Sequence, residues 1–214
     1  MRSRMFVAGG VFSVCMATLL VAGLVGGRTV KAHDDDDGDE AKVKRGFEIA
    51  PVNLTLKGKN RALVGLGSYI VNAQGECNGC HSAGPQTQFV LGFNPYAGQP
   101  AKTNPDTYLG GGRDFGPYPF PASPLHIISR NLTPDAKGRT LGGDSFEEFK
   151  HIIRTGEDPD NVHPVVPGGL DGSLLQIMPW PAYRDMTDRD LRAIYEYLGA
   201  IPCVAGPGNA HPCS

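Results

Sequence analysis

Aromatic residues are scarce in this 214-residue chain, at 8% with a single tryptophan, and no segment repeats another. That leaves room for one ordinary domain with extensions and argues against two full domains. Positive charge is short as well. Lys and Arg number 20 against 22 Asp and Glu, and four of the basic residues (Arg2, Arg4, Arg28 and Lys31) fall in the first 32 positions, which hold no acid. Beyond them the balance is 16 to 22, a net charge of about −6 with His neutral. Such a surface lacks the basic footprint that nucleic-acid phosphates demand. It suits protein partners that carry basic patches.

Charge is missing altogether from Met5 to Val25, an apolar and small-residue run preceded by Arg2 and Arg4, which is the layout of an export signal. Val30-Lys31-Ala32 is the candidate cleavage point. An uncleaved anchor stays open, because a run of about 20 residues can cross a bilayer. Both readings put the domain in the periplasm or another extracytoplasmic compartment, and only the second ties it to a membrane. Apolar residues are then lacking in His33-Asp34-Asp35-Asp36-Asp37-Gly38-Asp39-Glu40, a block of like charges expected to stay solvated. A metal-binding end led by His33 is the alternative. Residues 41–60 show no sustained period and read as a linker with at most a short strand.

Beyond this point helices become legible. Asn60 is placed to cap a helix to about Ala73, with Leu63, Leu66, Tyr69 and Ile70 at helical spacing and Gly75 as its end. Ser145 and Glu148 have capping-box spacing ahead of Phe146, Phe149 and Ile153, and Gly156 stops that helix. Thr187 and Asp190 open a last helix in which Leu191, Ile194, Tyr195 and Leu198 follow one face. Between these lies a stretch with seven Gly and eight Pro in the 44 residues from Ser82 to Leu125, where no regular element is expected to persist. Its aromatic residues supply anchors for packing down.

Cysteines are few and grouped: Cys15 in the signal, Cys77 with Cys80, and Cys203 with Cys213. In an oxidising compartment the last two are read as a disulfide closing a short Gly- and Pro-containing loop. A metal site of Cys203, His211 and Cys213 would lack a clear fourth ligand. Cys77-Asn78-Gly79-Cys80-His81 is present in one copy. Two thiols separated by two residues can each add across a vinyl group of haem, and the His that follows is placed to ligate the iron. A zinc ribbon would need a second Cys pair of similar spacing and a thioredoxin-like site a βαβ setting, and the chain has neither. One motif means one covalent haem c.

The sixth iron position decides between electron transfer and chemistry on a substrate. Past residue 32 the chain has two methionines, Met178 and Met186. Met178 sits in Gln176-Ile177-Met178-Pro179-Trp180, where Pro179 stiffens the backbone, and is the candidate axial ligand; a thioether raises the reduction potential. Its alternative is a core methionine. Met186 reads as a staple residue before the last helix. His126, His151 and His163 keep a bis-His haem open. Tyr69, Arg130 and Trp180 are candidate pocket or propionate contacts, with Arg113 as an alternative to Arg130, and Trp180 equally a core aromatic.

Gly67-Ser68-Tyr69-Ile70-Val71 ahead of the motif, Ser129-Arg130-Asn131-Leu132-Thr133-Pro134-Asp135, Phe149 to Gly156, Met178-Pro179-Trp180 and Asp190 to Leu198 together resemble a class I c-type cytochrome. More narrowly, the chain is similar to the cytochrome domains in subunits of bacterial periplasmic alcohol and aldehyde dehydrogenases. The likeness covers residues 60–202 apart from the insertion. It implies an all-α fold wrapped on the haem, His81 and Met178 as axial ligands, and electron passage through an exposed haem edge. Those subunits usually carry several such domains, whereas this chain has one.

The chain is thus read as an export signal (1–32), an acidic flexible segment and linker (33–58), a cytochrome c domain (59–202, with 82–125 inserted) and a C-terminal tail (203–214). The expected function is that of a mono-haem one-electron carrier between a dehydrogenase or quinol-linked donor and a downstream acceptor, making no bonds in a substrate. Alternatives are a haem enzyme or gas sensor with a displaceable sixth ligand, and a cytochrome subunit of a membrane-bound oxidoreductase.

Overall fold

Val43, Gly46 and Phe47 share one helical face, and that narrow face is enough to fold Asp34–Ile49 into helix α1. The sequence reading places a flexible segment and linker here; the structure replaces it with a helix. The reason is close approach rather than a broad apolar stripe. A Cβ on Gly46 would lie 1.9 Å from the Gly65 carbonyl oxygen of the next helix, so the two backbones touch, and the Ser68 hydroxyl donates to the Gly46 carbonyl at 2.7 Å.

The computed structural model describes residues 34–117, 126–159, 171–206 and 213. The chain divides into two units, Met1–Ala32 and His33–Ser214. The export signal with Cys15, and also His163 and His211, lie outside the described residues. Among the described residues no helix is long and apolar enough to cross a membrane.

Helix α2 spans Arg61–Tyr69, and the Asn60 side chain accepts from the amides of Ala62 and Leu63 at 3.0 and 3.2 Å, the cap that the sequence predicts. The regular helix stops short of Ala73. From Ile70 to Gln74 it widens into a π turn, closed by the Gly75 amide on the Ile70 carbonyl at 2.7 Å, a feature often found beside functional sites. The cysteine motif follows as a single helical turn, α3, over Cys77–Cys80.

Helix α4 spans Phe146–Thr155 with the full Ser145–Glu148 capping box, and Gly156 ends it at φ +78°. A short helix α5, Trp180–Tyr183, precedes α6, Asp188–Leu198, capped by Thr187 on the Asp190 amide. Helices α2 and α6 cross where Gly67 lies against Ala193 and Tyr197, and a Cβ there would sit 1.9 Å from the Ala193 carbonyl oxygen. Val64, Val71, Phe149, Leu191, Tyr197 and Leu198 are buried in one core around that crossing.

The inserted stretch is more ordered than its composition suggests. Asp114–Pro117 (β1) pairs antiparallel with His126–Ile128 (β2), and Phe89 bridges Thr103. The expectation that no regular element persists is corrected at β1. Asp114 accepts from the Gly116 amide at 2.7 Å and Gly116 takes φ +79°, so a turn-like irregularity is absorbed within a very short pairing. Tyr108 fixes the insertion to the helices: its hydroxyl donates to Asn72 Oδ1 at 2.6 Å and lies 2.8 Å from the Tyr197 hydroxyl, both phenols being buried.

Because the obstruction at Gly67 is backbone, Gly67→Ala is expected to cost about 2–3 kcal/mol in thermal or denaturant unfolding. Gly38→Ala, where a Cβ meets nothing, is expected to be neutral or slightly stabilising. Tyr108→Phe is expected to lower stability by about 1–2 kcal/mol, because Asn72 Oδ1 loses its donor while the Tyr197 hydroxyl keeps Asn72 Nδ2 at 3.2 Å.

Candidate functional site

Three backbone and side-chain contacts hold His81 at the end of the α3 turn. Its amide donates to the Cys77 carbonyl at 2.8 Å, its carbonyl accepts from Gly111 at 2.9 Å, and its Nδ1 lies 2.7 Å from the Arg130 carbonyl oxygen. A carbonyl can only accept, so the ring proton is on Nδ1 and the Nε2 lone pair is left for a metal. Burial lowers the pKa of His81, which keeps the ring neutral. The inserted stretch supports the rest of the motif: Asn78 accepts from the Leu109 amide at 2.9 Å, and Arg113 donates to the Gly79 carbonyl.

His81 lines a cavity of about 660 Å³ together with Cys77, Cys80 and Met178. Apolar side chains from the π turn, α4 and α6 complete it, among them Ile70, Phe149, Leu191 and Ile194. Its size lies within the ~300–1,000 Å³ usual for cofactor pockets. Cys77 and Cys80 are both free thiols. Burial, with Cys80 beside it, pushes the Cys77 thiol up to about 12, so without a bound group it is protonated at neutral pH.

Met178 reaches the lining from a segment distant in sequence. Its segment is folded against the end of α4, where Glu157 bridges Leu174 and the Leu175 amide donates to the Gly156 carbonyl at 2.7 Å. Trp180 is placed differently from the expectation. It is absent from the cavity lining, its indole N–H donates to the Leu175 carbonyl at 3.0 Å, and its ring lies on Gly156, where a Cβ would be 2.3 Å from Cε2. It braces the Met178 segment rather than offering its N–H to a propionate. Tyr69 is also absent from the lining, because the π turn carries Ile70 and Val71 to the cavity instead.

Arg130 does line the cavity, but its guanidinium is engaged by two carboxylates, Asp144 at 2.9 Å and Asp158 at 3.4 Å. Arg113, also on the lining, packs its guanidinium on Phe115. Met186 reaches the cavity wall as well, a position the sequence reading does not give it. His126 pairs with Asp114 at 2.8 Å and His151 with Glu157 at 3.0 Å, both exposed and off this cavity. Cys203 and Cys213 form a disulfide, as the spacing suggests.

The donor set fits a metal only if it arrives with other donors. Among the described residues no three His, Cys, Asp or Glu side chains converge to hold a bare ion. What the cavity offers is one imidazole, two thioethers, two free thiols and a large apolar volume, which suits a flat, hydrophobic metal carrier tethered through sulfur.

Comparison with known proteins agrees in kind. The chain is 31% identical over 139 residues to the gluconate 2-dehydrogenase cytochrome c subunit of Pantoea cypripedii, covering 65% of this chain and 23% of that one. It is 24% identical over 148 residues to the fructose dehydrogenase cytochrome subunit of Gluconobacter japonicus, covering 69% and 23%. The chain thus spans about a quarter of the length of these relatives, which are cytochrome subunits of dehydrogenases. No protein-family model matches the chain, and no solved structure matches it.

In the chain without a bound group, Cys80 is exposed and Cys77 is half-buried. Iodoacetamide is therefore expected to modify Cys80 first, with Cys77 slow until strongly alkaline pH brings its thiolate into reach; mass spectrometry of peptides after timed alkylation checks the order.

Proposed function

We propose that this protein is a mono-haem c-type cytochrome of class I type that carries one electron at a time outside the cytoplasm. Its haem is attached through Cys77 and Cys80, with His81 and Met178 as axial ligands. The observation that carries the reading is the convergence of these four side chains on one apolar cavity, with the His81 ring proton committed to Arg130. A bound haem c supplies reversible one-electron chemistry at its iron. The chain's own part is to orient His81, to place a sulfur opposite it, and to exclude water with side chains of the π turn, α4 and α6. An axial thioether keeps the potential high and substrates out.

Exposed Tyr96 and Ile128 stand on the cavity lining beside exposed Cys80, so the cavity reaches the surface near the motif. That opening is the proposed edge for electron entry and exit. The named relatives favour a dehydrogenase as donor, and the acidic net charge favours partners with basic patches. By the same likeness the chain acts as a cytochrome subunit or partner of such a dehydrogenase, not as the enzyme itself.

Haem should remain with the polypeptide through denaturing electrophoresis in the native protein and be lost from Cys77→Ala/Cys80→Ala. Met178→Ala should lower the reduction potential on the order of 0.2 V, within the ~0.8 V range that axial ligands span, and let carbon monoxide bind, while Met186→Ala changes neither. Ready carbon monoxide binding by the native protein would instead establish an open iron and a sensor or enzyme.

A further inference from the structure

Arg130 meets the cavity lining through both its backbone and its side chain. Its carbonyl receives the His81 ring proton at 2.7 Å. Its guanidinium holds together two carboxylates that flank α4 in sequence, Asp144 before the helix at 2.9 Å and Asp158 after it at 3.4 Å. Asp158 is 3% exposed, too enclosed to keep its charge without a partner. Its neighbours Gly156 and Glu157 are the residues on which the Met178 segment is folded, through the Leu175 amide and the bridge to Leu174, with the Trp180 ring laid on Gly156. Asp144 is held separately, since its carbonyl accepts from the Tyr195 hydroxyl of α6 at 2.7 Å.

We propose that Arg130 is a positioning residue that ties the His81 wall to the Met178 wall, setting how firmly Met178 is held opposite His81. The proposal rests on the reading of these two residues as the axial pair. Arg suits the task because its planar fork donates in two directions. A Lys ammonium would hold one carboxylate well and leave the other poorly matched. The two carboxylates are not equivalent. Loss of Asp158 releases the end of α4 that carries the Met178 segment, whereas Asp144 keeps its place through Tyr195 and the α4 cap.

The test uses the purified haem-loaded protein and its Asp158→Asn, Asp144→Asn, Arg130→Lys and Arg130→Met variants. Three quantities are measured: affinity of the oxidised iron for added imidazole, reduction potential, and thermal unfolding. Asp158→Asn should raise imidazole affinity about tenfold, as expected when one charged hydrogen bond no longer opposes displacement of Met178, and should lower the potential. Asp144→Asn should raise it less than about threefold, and Arg130→Lys should fall between. If Arg130→Met does not accumulate folded, Asp158→Asn, which keeps the side-chain shape, carries the test. Asp158→Asn with native imidazole affinity and potential but lower thermal stability would overturn the proposal, leaving an ion pair that only stabilises the fold. If the native protein holds no covalent haem, or Met178→Ala leaves its spectrum unchanged, the axial assignment itself fails, an outcome separate from the first.

Discussion

The His81 ring can donate to Arg130 only because the backbone at Arg130 is pressed against Gly111. Gly111 takes φ +68°, and a Cβ on it would lie 2.5 Å from the Arg130 carbonyl carbon. Around this contact the two segments exchange hydrogen bonds, Gly112 to Ser129 and Leu132 to Leu109, so the carbonyl that fixes the ring is itself fixed. Which nitrogen faces the cavity, and hence whether His81 can ligate at all, follows from that one approach of two chains. In the Gly110-Gly111-Gly112 run, which composition marks only as loop, Gly111 is needed because a side chain would meet the Arg130 backbone, and Gly112 takes φ +86°.

The features legible in the sequence are those written in local chemistry. Asn60, Ser145 with Glu148, and Thr187 cap the helices that their spacing indicates, because a cap involves residues two or three apart. The cysteine motif is equally local. What escaped depends on partners far along the chain. Helix α1 is hard to read because its apolar contact is limited to Val43 and Phe47, and the rest of its docking is Gly46 meeting Gly65, which leaves no apolar signature. Tyr197 lies outside the Leu191–Leu198 stripe yet is fully buried, since its hydroxyl finds Tyr108. For Trp180 and Arg130 residue type alone leaves a propionate contact open, as it does a core role for Trp180 and Arg113 in place of Arg130; the nearby partners are Leu175 in one case and Asp144 and Asp158 in the other. Met178 was found because its context is compact, while Met186 needed the fold to show that it reaches the same wall. The axial and thioether assignments remain a proposal built on that shared cavity.

The chain past α6 reinforces the same region from behind. Val204 donates its amide to Thr133 Oγ1 at 3.1 Å and accepts from Asn131 Nδ2 at 2.8 Å, so the segment after Arg130 is strapped to the tail that the disulfide closes. Insertion, tail and motif therefore meet at residues 109–113 and 129–133. Stability of the site is shared among elements that are distant in sequence, which delays its completion until most of the chain is in place.

The insertion thus has two parts with different freedom to vary. The bridge from Phe89 to Thr103 encloses a projecting tip with Leu91 almost wholly in solvent, and no hydrogen bond from that tip reaches His81 or Arg130 among the described residues. Residues 108–113, by contrast, lend their amides and side chains to Asn78, Gly79 and His81. Within the tip, Leu91 can change without touching the cavity, whereas Tyr96 is held by Glu76 and stands on the lining. The few residues after it are bound to the Cys77–His81 turn as tightly as if they belonged to the motif.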